Sequence, residues 1–261
     1  MTDFEKVIDF NNMYRAFRKA KRGKGFKKSA ARFDLAALDG VHTLIFQLRS
    51  KTYRISDYSE FKVYEPKERV IQTTSFKDKV IQHSLCDNVI MPRLQHVFLL
   101  DNCAGQKGKG TLFGLDRLSR QMQQFYSRYG FEGYILKCDI SKFFYNISHD
   151  QLKDIVHYHF GYDRDICWLC DLFIDSTEGK GIPLGNQINQ GFALLYLDGM
   201  DKRNAQRKFI RMAKLVADGK LPFEKFAASY SAWKNHISHG DCYRLGQSMD
   251  REIVRILKDC R

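Results

Sequence analysis

Residues 134–151, YILKCDISKFFYNISHDQ, change period partway along, and that change constrains the fold more than any other stretch. From 134 to 139 the period is two. Tyr134, Leu136 and Cys138 share one face, and Ile135, Lys137 and Asp139 share the other, as in a strand. Asp139 therefore arrives at the strand end, just before Phe143 and Phe144. From Ser148 the period becomes helical. Ser148 is the N-cap, Gln151 follows at capping-box spacing, and Leu152, Ile155 and Val156 form an apolar stripe. A carboxylate between a strand end and a helix start is a favoured place for ligand chemistry. An ordinary surface aspartate is the plain alternative.

The chain is long enough, at 261 residues, for one or two domains with a real core. It has no internal repeat and no low-complexity tract. No apolar run reaches the roughly 20 residues of a membrane span, and MTDFEKVIDF lacks the basic start and apolar run of a signal peptide. Seven cysteines, an odd number, then point to reduced thiols and a cytoplasmic protein.

The net charge of +13 is unevenly placed. Residues 1–70 carry a net +7, residues 71–201 a net −2 and residues 202–261 a net +8. Basic flanks around a carboxylate-bearing centre suit a polyanion held on either side of a metal site, against generic solubilising charge as the alternative. The strongest footprint is 15–32, RAFRKAKRGKGFKKSAAR, with nine Lys or Arg and no acid. Arg15, Arg18, Lys19, Lys21, Arg22, Lys24, Lys27 and Lys28 are its candidate phosphate contacts, interleaved with Tyr14, Phe17 and Phe26. Such a patch carries no base specificity.

Further along, Leu35, Leu38, Val41, Ile45 and Leu48 predict one helix packed on the core. Two strands, 61–64 and 69–73, flank the turn Glu65-Pro66-Lys67-Glu68 and bring Lys62 diagonally near Arg69, a possible clamp for a triphosphate. A helix over 76–90 ends at Pro92. The Gly-rich basic loop 101–111 lacks the order of a Walker A motif, so a plain loop is expected before a helix bearing Leu115, Leu118, Met122, Phe125 and Tyr129 at steps of three and four. Cys167 and Cys170 make a CxxC within an apolar segment. They are core thiols, or half of a zinc site completed by His236, His239 and Cys242. The turn 179–190, GKGIPLGNQINQ, opens onto an apolar helix, 192–197, and further helices are expected over 202–218 and from Pro222.

In this order the pieces resemble the bacterial reverse transcriptases of the retron, group II intron and diversity-generating type. FKVYEPKERVIQ and FKDKVIQHSL resemble the fingers hairpin and its following helix, and VFLLDNCAGQKGKGT the next block. YILKCDISKFFYNISHD is similar to the first catalytic block of the palm, GIPLGNQINQGFALLYLDGMD to the block that packs on the incoming nucleotide, and SYSAWKNHISHGDCYRL to the thumb. The resemblance implies an α+β fold with a right-hand plan: N-terminal basic helix and fingers over 1–110, palm over 111–201 and helical thumb over 202–261. It implies RNA-directed DNA polymerase activity with Mg2+, an RNA template, a DNA primer and a retroelement accessory protein as partners. Asp139 would bind the metal ions with help from the Ile140 carbonyl, and Phe144 would exclude a ribose 2′-hydroxyl. Lys62 and Arg69 would meet the triphosphate, while Gly185, Asn186 and Gln190 would line the nucleotide site. Gly185-Asn186 and Gln190, with Leu184 after the proline, are closest to the diversity-generating branch.

One block of that pattern is missing. The family carries a second catalytic motif with two adjacent aspartates, and this sequence contains no Asp-Asp pair. Tyr196-Leu197-Asp198 is followed by Gly199 where the second acid belongs. Two divalent ions roughly 3.5–4 Å apart need a carboxylate cluster, which one aspartate does not make. The expectation is a truncated palm, apolar surface left uncovered, and polymerase activity impaired or lost. A non-catalytic nucleic-acid-binding remnant of a retroelement is the alternative.

Overall fold

The computed structural model describes residues 1–64, 68–131, 135, 139–236 and 253–257, with the side chains of 129, 202–206 and 231–236 excepted. The described chain is mainly helical with one two-stranded sheet, an α+β composition. It forms two compact units, each assembled from two stretches.

The first unit comprises Met1–Pro92 and Tyr134–Tyr196. It opens with α1 (Asp3–Ile8), fixed by a complete capping box between Thr2 and Glu5. Then come α2 (Phe10–Lys21), α3 (Lys28–Leu35) and α4 (Ala37–Arg49). The strands β1 (Ser59–Val63) and β2 (Arg69–Thr73) form the expected antiparallel hairpin. Helix α5 (Phe76–Leu85) starts at Ser75, whose side chain and that of Asp78 cap each other's backbone amides. The core sits where α5 packs on α2. Phe17 meets Phe33 at 5.4 Å and Phe76 at 6.2 Å between ring centroids. Val80, Ile81 and Leu85 are buried on the facing side of α5. Met13, Ala16, Phe17 and Ala20 give α2 its apolar stripe, so its arginines and lysines are left on the opposite, solvated face.

Two helix expectations change. Leu35 ends α3, Ala36 breaks the run, and Leu35 is 91 % exposed, so the core stripe begins only at Val41 in α4. Pro92 does not end its helix at 90. A π-helical turn, Cys86–Ile90, follows α5 and leads into the short helix α6 (Met91–Leu94), which holds Pro92 in its first turn. The Met91 amide still reaches back to the Cys86 carbonyl, so the π-helical turn carries the chain into Pro92, which has no amide to donate, without ending the helical run.

The rest of this unit contains a 3₁₀ turn, Phe143–Asn146, then α8 (His149–Phe160) and α9 (Arg164–Ile174), which pack together. Ser148 caps α8 through the Gln151 amide as expected, and Leu152 and Val156 are buried. Cys167 and Cys170 are free thiols buried in α9, and burial pushes both above the ordinary thiol range. Of the strand expected over 134–139, Ile135 and Asp139 lie in neither helix nor strand, and Tyr134, Leu136, Lys137 and Cys138 lie outside the described residues. So do residues 65–67 of the hairpin turn, and His239 and Cys242 of the zinc alternative.

The second unit comprises Arg93–Gly133 and Leu197–Arg261. The loop before α7 (Thr111–Tyr129) is organised by Lys109, whose ammonium donates to the carbonyls of Leu99, Leu100 and Asn102 at 3.1–3.3 Å. Instead of two helices there is one, α10 (Gln187–Ala217), because no proline interrupts 187–217. It contributes to both units. Helix α11 (Phe223–His236) follows, one residue after Pro222. Phe209 and Ala213 of α10, Phe226 and Tyr230 of α11, and Ile253 form a small core, in which the Phe226 and Tyr230 rings stack at 5.5 Å. The end of α10 is closed by Lys220 N donating to the Leu215 carbonyl at 2.8 Å, with Gly219 at φ +68°. No helix among the described residues is long and apolar enough to cross a membrane.

Candidate functional site

Three segments meet in the first unit: the turn after Asp139, the 181–190 turn and the end of β2. Lys142 takes the left-handed conformation at φ 49°, a strained choice for a residue with a side chain. Its carbonyl accepts from the Tyr145 amide and the Asn146 side chain, both at 3.1 Å, which holds the bend. The chain then lies along the Gly-rich turn. Gly181 N donates to the Ile147 carbonyl at 2.8 Å, and Ile182 N donates to the Phe144 carbonyl at 2.9 Å. The buried His149 ring donates through Nε2 to the Gly181 carbonyl at 2.7 Å. A Cβ at Gly181, where φ is +88°, would lie 2.8 Å from the Tyr145 carbonyl oxygen, so only glycine fits.

The far end of the turn meets the hairpin. A Cβ at Gly185, φ +112°, would lie 2.8 Å from the Gln72 carbonyl oxygen. Asn186 is buried, and its amide is used internally. It accepts from Thr74 Oγ1 at 3.3 Å and donates to the Tyr58 hydroxyl at 2.9 Å. Gln82 of α5 joins the same network, accepting from the Gln187 amide at 3.1 Å and donating to Thr74 at 3.3 Å. Asn189 donates to the Pro183 carbonyl at 2.9 Å. Asn186 therefore acts as a strut, tying the turn to the link between β2 and α5 and to the entry of β1. Gly185 and Gln190 are exposed, and Phe144 is half-buried.

Asp139 and Ile140 are exposed. Among the described residues no three His, Cys, Asp or Glu side chains group to hold a metal ion. One carboxylate and one carbonyl do not fit a two-ion site.

The hairpin corrects the expected clamp. Its register pairs Lys62 with Val70 and Val63 with Arg69, so Lys62 and Arg69 project from opposite faces. Lys62 instead shares a face with Glu68 and forms an ion pair with it at 2.7 Å. The diagonal neighbour of a strand residue lies two positions from its partner, not one.

The basic segment forms a separate surface. Arg15, Arg18, Arg22, Lys24, Lys27 and Lys28 are exposed. A groove of about 780 Å³ runs beside Tyr14, Arg15, Arg18 and Arg22. Lys19 is held by Asp87 at 2.7 Å and Lys21 by Asp34 at 2.6 Å. Lys79 of α5, absent from the expected set, faces this segment. Partial burial, then the charges of Lys24 and Lys27, lower its pKa. Burial likewise lowers that of the neighbouring His83. The visible signal for both was a Lys and a His four apart on a helix whose next face was apolar.

No protein-family model matches the chain, and no curated protein compared with it does either.

Proposed function

We propose that this chain is a reverse transcriptase-like protein that keeps a nucleic-acid cradle and has lost efficient nucleotidyl transfer. The observation that carries the reading is the joining of three distant segments, 142–147, 181–190 and 71–74, through backbone bonds and a glycine that admits no side chain. The resemblance assigns those segments to the first catalytic block, the nucleotide-packing block and the fingers hairpin. The exposed cations of 15–28 supply phosphate contacts. The lone Asp139 supplies too little charge for a pair of divalent ions.

The alternative, a purely non-catalytic binding protein, is favoured by Asn186, whose amide is spent on Thr74 and Tyr58 and not held toward a nucleotide. A labelled DNA primer annealed to RNA, with magnesium and nucleotides, tests both. The expected result is salt-sensitive binding without extension. Extension abolished by Asp139→Ala overturns the catalytic deficit. Affinity that rises with the templated nucleotide favours a retained nucleotide site over the binding-only alternative. Binding no tighter than to a neutral polymer overturns both.

A further inference from the structure

The basic segment 15–32 carries aromatic rings at Tyr14, just before it, and at Phe17 and Phe26, and the fold uses them differently. Phe17 is buried in the core of the first unit. Tyr14 is half-buried, with the Phe10 ring stacked 6.0 Å away and the Phe17 ring at 5.6 Å. Phe26 is 83 % exposed and meets no other ring among the described residues. The backbone fixes the turn that displays it. Lys24 N donates to the Lys21 carbonyl at 2.8 Å, Lys27 N to the Lys24 carbonyl at 3.0 Å, and Ala30 N to the Lys27 carbonyl at 2.9 Å. Gly25, beside the ring, has no side chain to shield it. A ring held out in water forgoes the stabilisation of burial, so its exposure here needs a reason.

We propose that Phe26 is a stacking platform for an unpaired base, on a single-stranded nucleic acid whose phosphates meet Lys24, Lys27 and Lys28. This rests on the nucleic-acid cradle proposed above and adds what the cradle selects, which is unpaired bases over duplex.

Charge and ring together select this occupant. Residues 22–29 are all exposed, with four cations and no acid. Asp34, the acid on the adjoining groove, is held by Lys21 at 2.6 Å. Burial, then the charges of Lys24 and Lys27, lower the pKa of Lys79 against the opposing charge of Asp78, which puts a further cation beside the turn. Phosphates alone need only those cations. A ring among them adds a planar apolar face, and every base has a face to match it. Bases in a duplex are stacked on one another and closed to the ring, so a single strand engages both features. A bilayer fits less well. The turn offers one ring and no amphipathic helix face, because the apolar stripe of α2 is buried in the core.

Fluorescence anisotropy of the full chain with a labelled single-stranded oligonucleotide, and with an abasic strand of the same length and charge, reads the contact. Phe26→Ala is expected to weaken binding to the base-bearing strand at least about fivefold and to the abasic strand less than about twofold, with the salt dependence of both unchanged. Phe26→Trp is expected to keep the affinity, and its added fluorescence to be quenched by the base-bearing strand alone. Phe26 is exposed, so the circular dichroism of both variants is expected to match wild type. Salt-sensitive binding that ignores Phe26→Ala overturns the inference and leaves the proposed cradle standing. Equal weakening on the two strands also overturns it, because the ring then shapes the turn and does not meet a base. So does Phe26-dependent binding to phosphatidylserine vesicles with oligonucleotide binding indifferent to the ring, which assigns Phe26 to a membrane. Absence of salt-sensitive binding by the wild-type chain overturns the cradle and the inference together.

Discussion

Asp78 is buried, and among the described residues no Lys or Arg forms an ion pair with it. Its carboxylate is instead surrounded by donors: the Tyr53 hydroxyl, the Ser75 amide at 3.0 Å and the Ser75 hydroxyl at 2.6 Å. The acid is thus solvated by the protein, and the helix N-terminus at which it sits adds a favourable dipole. The same arrangement protects the neutral form of Tyr53. Burial, then the Asp78 charge and their shared hydrogen bond, push the Tyr53 pKa far above its ordinary value of about 10. A group whose folded pKa is raised contributes stability that is full below the unfolded value and lost as pH rises past it. Stability is therefore expected to fall above about pH 10 as the unfolded tyrosine ionises. Tyr53→Phe removes that loss and also leaves Asp78 one donor short. Urea titration is expected to show the variant about 1–3 kcal/mol less stable at pH 7, with a flatter decline than wild type between pH 9 and about 11.

At the scale of elements, the 181–190 turn depends on backbone that only glycine adopts. Gly185→Ala must move the Gln72 carbonyl or its own φ, and an expected cost of at least about 2 kcal/mol follows from strain and contact together. Gly199, inside α10 with no neighbouring atom within 4 Å of where a Cβ would stand, is the matched control. Gly199→Ala is expected to be neutral or to stabilise by about 0.5–1 kcal/mol. Chemical denaturation of the two variants side by side checks both signs. The hairpin, α5, α7, α8 and α11 were legible because each carries a clear period, a cap or a turn signal of its own. The break at Ala36 was not, because Leu35 and Leu38 continue the apolar spacing across it while facing solvent. The π-helical turn before Pro92 has no signature in apolar period. At the site, Gly181 and Gly185 were readable as places of close approach. The strut role of Asn186 was not, since its partners Tyr58 and Thr74 are more than a hundred residues away. The opposition of Lys62 and Arg69 depended on register, which a hairpin with an undetermined turn leaves open by one residue.

The molecule as a whole is strongly cationic, but its cations are not equivalent, and under the proposed function this decides how it meets a polyanion. Every phosphate neutralised by an unpaired Lys or Arg releases a counterion, and on single strands each such contact adds about 0.7 to the steepness of log affinity against log salt. Lys19 and Lys21 already face Asp87 and Asp34, so to reach a phosphate they must first leave a carboxylate. Arg18 and Arg22, exposed on the same helix end, have no acidic partner among the described residues. Lys24 and Lys27 are also exposed, and after burial their charges help lower the pKa of Lys79, against the opposing charge of Asp78. An arriving phosphate relieves that crowding, so binding at this turn gains from repulsion removed as well as from attraction made. Replacing Arg18 and Arg22 together by Ala is expected to flatten the salt dependence of single-stranded RNA binding by about 1.4 units. Replacing Lys19 and Lys21 together is expected to change it by less than half as much, although the formal charge removed is identical. Fluorescence anisotropy at several salt concentrations measures both slopes. Equal flattening by the two pairs means that net charge alone, and not the disposition of free cations on α2, governs binding.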